Sequence, residues 1–302
     1  MLRLKTHYVF NKTILSFKQA IHLFFIITIA CIFYKLLEYQ SLKHSAALFI
    51  GIPVMMGVAL AVGSQQKHVT LNVLSGLSLG LVASFLYLNE GSFCVPMTAP
   101  LFLISGLVIS FSFTKLRNSK YFKTIYLLPV LLLALFSIEG ISNSTSFNRI
   151  ESISTSKETL LTPHDIEHSL SLNKQFINLP SLLSWGFPQP KQVIGSGSKL
   201  GDRRDVFFSG GEGEPGHAVF EITKRSLTSI TYTLLKDESH INHWLNWKTS
   251  EVRWEVTKSG KTDITWTIDY ERKLDPSWYF GPLQRYAVEL VAETLIDNLI
   301  LE

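Results

Sequence analysis

Five long apolar runs crowd the first 142 residues, at 17–37, 46–63, 71–88, 98–113 and 124–141, and no other feature constrains the chain as strongly. A helix needs about 20 residues to cross the hydrocarbon core of a bilayer, and each run comes close to that length. We read five spans from them, the fourth being the shortest. The first run does not have the pattern of a cleaved leader. Its apolar stretch is long, no A-x-A site follows it, and more spans come after.

The charges divide the chain at Ser142. Up to that point there are eleven Lys or Arg and three acids, Glu38, Glu90 and Glu139, which leaves 17 basic and 21 acidic residues beyond it. The net charge of +4 therefore averages a basic membrane half with a mildly acidic soluble half, and it gives no support for a nucleic-acid partner. Basic residues favour the cytoplasmic side. The N-terminal tail carries Arg3, Lys5, Lys12 and Lys18, and the fourth loop carries Lys115, Arg117, Lys120 and Lys123. The third loop, "NEGSFCVPM", has no basic residue, and the first has Lys35 and Lys43, partly offset by Glu38. Five spans with a cytoplasmic N-terminus put everything after Ile141 outside the cytoplasm; one span more or fewer would put it inside.

Cys31 falls in the first span and Cys94 at the edge of the fourth, and the soluble half has no cysteine, so thiol chemistry there is excluded. After the linker "SNSTSFN", the letters "TPHDIEHSL" open a helix, with Thr162 as N-cap, Pro163 at the first position and Asp165 completing a capping box. The same letters satisfy the zinc pattern H-x-x-E-H with His164, Glu167 and His168. Five residues match a loose pattern by chance often, and no third ligand can be picked out, so a capped surface helix is the simpler reading and no metal is assigned.

From Lys191 onward the hydrophobic period becomes two, as in strands with one buried face. "DVFFSG", "HAVFEITK", "SITYTLL" and the pair within "EVRWEVTKSGKTDITWTIDYERKL" read as strands. In the last of these Ile264, Trp266, Ile268 and Tyr270 share one face. "GSGSKLG" and "GGEGEPG" do not link a strand to a helix, so we assign them to turns rather than phosphate cradles. His240 and His243 alone are weak evidence for a metal site.

A final helix is expected from about Pro282. Its charged stripe is Arg285, Glu289, Glu293 and Asp297, and Leu283, Ala287, Leu290, Val291, Thr294, Leu295 and Leu299 form the opposite face. Gln284 and Asn298 fall inside the apolar arc, where a polar group must find a partner or line a cavity.

A short strand near 149–154, a helix, antiparallel strands and a long C-terminal helix follow one another in an order that resembles the SRPBCC superfamily, also called START-like or polyketide cyclase-like. "LLSWGFPQP", "GSKLGDRRDVFFSG", "EGEPGHAVFEI" and "WTIDYERKLDPSWYFGPLQRY" are similar to a membrane-anchored bacterial branch of it. The resemblance implies a helix-grip fold, a curved antiparallel sheet around the last helix with an apolar cavity, and a location in the bacterial inner membrane. It carries over no catalytic residues and no cofactor.

The expected architecture is thus an α-helical membrane bundle of about five spans over 1–142, a linker at 143–147, and an α+β helix-grip domain over 148–302. Within that domain Tyr232, Trp254, Trp266 and Tyr270 on the sheet, facing Gln284 and Asn298 on the helix, are the candidate ligand-binding residues. The Arg203, Arg204, Asp202 and Asp205 group reads as a structural ion-pair cluster, with an anionic headgroup clamp as the alternative. The function expected is binding of a lipid-like or other hydrophobic small molecule. A cyclase or hydrolase in the same cavity, or a structural domain with a filled core, are the alternatives.

Overall fold

The computed structural model describes residues 17–64, 68–87, 94–119, 123–177, 179–180, 188–195, 198–209 and 214–301. Arg3, Lys5, Lys12, Lys120, most of the third loop, the letters "LLSWGF" and parts of both glycine loops lie outside them. The described chain forms two compact units. One takes in the helices up to Ile138, apart from short pieces within 44–46 and 87–97; those pieces belong with Glu139 onward.

In the first unit the apolar runs are helical: α1 (Phe17–Tyr39), a π-helical turn (Ala47–Gly51) leading into α2 (Ile52–Gly63), α3 (Val69–Tyr87), α4 (Cys94–Asn118) and α5 (Leu128–Phe136). Two helical stretches, Ile21–Tyr39 and Val95–Asn118, are long and apolar enough to cross a membrane. Ala47–Gly63, Val69–Ser84 and Thr124–Phe136 are shorter, at 10–17 residues. At 1.5 Å per residue, such stretches reach about 15–25 Å, less than the ~30 Å hydrocarbon core. Glycines allow the helices to approach closely: a Cβ on Gly57 would come within 2.7 Å of Ile109, and one on Gly106 within 2.8 Å of Leu77. Arg117 donates to the carbonyls of Ser64 (2.6 Å) and Ala61 (2.7 Å), satisfying the open end of α2.

The second unit is one eight-stranded antiparallel sheet with two helices. Its elements are β1 (Ile150–Thr159), α6 (Pro163–Ser171), β2 (Lys174–Gln175), β3 (Pro190–Ile194), β4 (Arg203–Phe208), β5 (Gly216–Arg225), β6 (Ser229–Asp237), β7 (Leu245–Val256), β8 (Thr262–Arg272) and α7 (Ser277–Ile296), which ends in a π-helical turn (Asp297–Leu301). The strand order is β1-β8-β7-β6-β5-β4-β3-β2. Register shifts in β3, β5 and β7 increase the local twist, and so the sheet curls. A curled sheet closed by the C-terminal helix fits the helix-grip arrangement.

Strict alternation explains the inner face. Along β8 burial alternates at every residue, with Ile264, Trp266, Ile268 and Tyr270 inward. On the outer face, Ser154 with Thr267 and Ser156 with Thr265 pair hydroxyls at 2.8 Å across β1 and β8. β1 pairs with β8 over ten residues, which is why it runs on to Thr159 rather than ending near 154. From α7, Val288, Ala292 and Ile296 pack into the core cluster with Trp254, Ile264 and Ile268. Burial of one such branched aliphatic side chain contributes about 1.5–3 kcal/mol. Leu283, expected on this face, is exposed.

The capping box of α6 is present, with the Thr162 N–H donating to Asp165 (3.0 Å) and the Asp165 N–H to Thr162 Oγ1 (3.3 Å). These Thr162 bonds hold the Asp165 carboxyl below its ordinary range. The last helix starts at Ser277, five residues before the expected Pro282, and Pro282 lies inside it. Gly281 precedes that proline and lacks the Cβ that would clash with its ring, so the helix passes through. The Ser277 N–H is capped by Glu139 Oε1 at 2.8 Å, a partner 138 residues away.

Candidate functional site

Alternation on β4 puts Arg204, Val206 and Phe208 in one phase, and the sheet's curl leaves a gap between that phase and α7. The gap is a cavity of about 120 Å³. Its walls come from Val206 and Phe208 of β4, Phe220 of β5, Tyr232 of β6, Trp247 and Ser250 of β7, and Trp266 of β8. Ala287, Val288, Val291, Leu295 and Leu299 close it from the helix side, and Ser169 and Leu170 of α6 and Trp244 border it.

Few polar groups reach it. Ser250 Oγ accepts the Trp266 indole N–H at 2.7 Å. Trp247 is buried, and its indole nitrogen has no hydrogen-bond partner among the described residues. The Tyr232 hydroxyl is deeply desolvated, which pushes its pKa up to about 12 despite hydrogen bonding to Arg204, so it stays a neutral phenol at neutral pH. Arg204 is 5% exposed. Its Nη1 donates to the carbonyls of Leu172 (3.0 Å) and Gly195. Gly195 has φ +132°, and a side chain there would strike the Arg203 carbonyl.

The six expected site residues are distributed unevenly around this cavity. Tyr232 and Trp266 line it. Trp254 and Tyr270 lie deeper in the core; the Trp254 indole nitrogen has no partner among the described residues, and the Tyr270 hydroxyl donates to Glu151 at 3.0 Å. Burial beside the Glu151 carboxylate raises the Tyr270 pKa. Gln284 is buried and donates to the Trp244 carbonyl at 2.8 Å, so it touches the wall through the backbone of a lining residue. Asn298 accepts the Ile177 N–H at 2.6 Å and donates to the Thr294 carbonyl at 3.0 Å, a link between the last helical turn and the segment after β2.

The arginine and aspartate group does not form the expected ion-pair cluster. Arg203 faces Glu221 of β5 at 3.7 Å, and Asp202 accepts the Lys199 N–H at 2.8 Å within its own turn. Glu167 of the H-x-x-E-H pattern pairs with Arg225 and accepts from Ser198 at 3.3 Å, while His164 and His168 are exposed. No group of three metal-ligating side chains occurs among the described residues.

Trp244, Trp247, Phe208 and Phe220 were not singled out from sequence. Period two marks the inward phase of a strand, and that signal also puts Arg204 in step with Val206 and Phe208.

No family model matches the chain, and no curated protein matches it. Among solved structures, the chain is similar to ginseng major latex-like protein 151 from Panax ginseng, at 17% identity and TM-score 0.29 over 49% of this chain and 99% of that one. It is also similar to norcoclaurine synthase from Thalictrum flavum, at 17% identity and TM-score 0.34 over 51% of this chain and 87% of that one.

Proposed function

We propose that the chain is a multi-span protein of the bacterial inner membrane whose domain at 148–302 binds an apolar small molecule between the sheet and α7. The cavity carries this reading. A filled core would leave no such gap, since protein interiors pack about as densely as organic crystals. Tyr232 and Trp266 contact the ligand, Gln284 sets the wall through Trp244, and Trp254, Tyr270 and Asn298 hold the surrounding frame.

The membrane part of the proposal rests on exposed apolar surface. Phe24 is 67% exposed, Leu71 64% and Leu131 57%, and α5 buries no residue at all. A monomer in water rarely presents so many exposed large apolar side chains. Five spans, with the shorter helices completed by local thinning of the bilayer, put the N-terminus in the cytoplasm and the domain outside it.

Binding is favoured over turnover because the hydroxyls in the described lining, those of Ser169, Tyr232 and Ser250, have no His or carboxylate beside them in that lining to activate them. Native mass spectrometry of the full chain released from membranes tests the cavity. Wild type is expected to carry a bound small molecule, and Ala287→Phe, which fills the space from α7, to lose it. Equal occupancy in both would refute the reading. For the topology, an alkaline phosphatase fusion at the C-terminus is expected to be active and a β-galactosidase fusion inactive; the reverse would mean a different span number.

A further inference from the structure

Arg204 is the one charged side chain in the described cavity wall, and it is almost completely buried. A buried guanidinium cannot shed its proton, so only an opposite charge relieves the full cost of desolvating it. Among the described residues no carboxylate forms a contact ion pair with it: Arg203 takes Glu221, Arg225 takes Glu167, and Asp202, which accepts a backbone N–H, favours the charge only from beyond ion-pair distance. Its protein partners are the Leu172 and Gly195 carbonyls and the Tyr232 phenol, all neutral. They solvate the charge without cancelling it.

We propose that the missing counter-charge is supplied by the ligand: the cavity takes a small monocarboxylate, with its carboxylate on Arg204 and Tyr232 and its apolar body against Trp244, Trp247 and Trp266. This rests on the cavity reading above and names its ligand class. The phenol lies beside the guanidinium, and its proton can be donated to a carboxylate oxygen. One positive charge matches one carboxylate. A phosphate monoester would bring nearly two negative charges against a single cation in an apolar wall. Size narrows the class further. At about 120 Å³ the space is slightly smaller than the ~150 Å³ dry cavity that admits benzene, so it suits a small acid and is too small to enclose a whole sterol or diacyl lipid.

Among the described residues three tryptophans line the cavity, so tryptophan emission reports occupancy. The full chain in detergent micelles is titrated at pH 7 with sodium hexanoate and, separately, with 1-hexanol, against protein-free micelle blanks. Wild type is expected to bind hexanoate about ten- to a hundredfold more tightly than hexanol, the range of a charge-assisted hydrogen bond. Arg204→Met is expected to abolish that preference while leaving hexanol binding intact. Tyr232→Phe keeps the shape of the wall and is expected to lower hexanoate affinity several-fold; it serves as the test if the arginine variant does not fold. Equal wild-type affinity for the two probes would overturn the carboxylate inference and leave the cavity reading standing. No response to either probe would overturn both.

Discussion

The Asp275 carboxylate accepts a hydrogen bond of 2.6 Å from the Arg272 guanidinium, and neither side chain has any exposed surface. Arg149 pairs with the other oxygen of Asp275, and the Asp275 N–H donates to the His44 carbonyl at 2.9 Å. Asp275 thus pairs with two arginines at the point where β8 turns into α7, and the more distant Glu151, 3.8 Å from Arg272 Nε, is the only other carboxylate paired with Arg272 among the described residues. Arg272 Nε and Nη2 already have no hydrogen-bond partner among the described residues. Asp275→Ala is therefore expected to destabilise the domain by about 3–5 kcal/mol, the cost of stranding a buried charge. Thermal unfolding followed by near-UV circular dichroism checks it, and a change under 1 kcal/mol would contradict this account.

Gly140 closes the same corner with φ +81°, and a Cβ there would collide with the Asp275 carboxylate and Arg149. Gly201 has a similar φ of +86° but open space where its Cβ would go. Gly201→Ala should cost only the left-handed strain, about 1 kcal/mol, whereas Gly140→Ala adds the collision and should cost at least twice as much. Unfolding midpoints of the two variants, measured side by side, separate strain from crowding.

Tyr232 links stability to alkaline pH. Its folded-state pKa of about 12 lies above the ordinary 10.0, so the native state holds its proton over a range where the unfolded chain releases it. The resulting stabilisation is complete below pH 10 and lost as pH rises from 10 to 12. At about 1.4 kcal/mol per pKa unit it amounts to roughly 2–3 kcal/mol. Tyr270 is shifted in the same direction and adds to the slope. Tyr232→Phe is expected to flatten, without abolishing, the fall in stability above pH 10 in a denaturant series.

Gln284 and Arg285 are neighbours with opposite surroundings. The first is buried against the Trp244 carbonyl, and the second is exposed, with Glu151 at 3.4 Å. Gln284→Leu removes one of the two donors to that carbonyl, the Lys273 N–H remaining at 3.1 Å, a loss of about 1 kcal/mol, and lets Trp244 shift in the cavity wall. Arg285→Ala removes a surface pair worth less than about 1 kcal/mol. We expect Gln284→Leu to change tryptophan emission and ligand occupancy, and Arg285→Ala to change neither. Equal effects would contradict the orientation of α7.

Sequence alone determined what is periodic and local. Runs of apolar residues mark five helices, alternation over Ile264 to Tyr270 marks the inner face of β8, and Thr162, Pro163 and Asp165 mark the start of α6. These depend on neighbours within a few positions, and backbone geometry repeats them reliably. Tertiary structure decided whatever depends on distance between distant segments. α7 begins at Ser277 because Glu139 caps it from another part of the chain. Arg204 makes no contact ion pair with the acids near it in sequence, because alternation turns Asp205 to the other face and Asp202 is held by the Lys199 N–H, and its direct partners are Leu172, Gly195 and Tyr232. The cavity itself is a mismatch between the curl of the sheet and the side chains of α7. A period states which way each residue faces, but it does not say how far away the opposite wall stands.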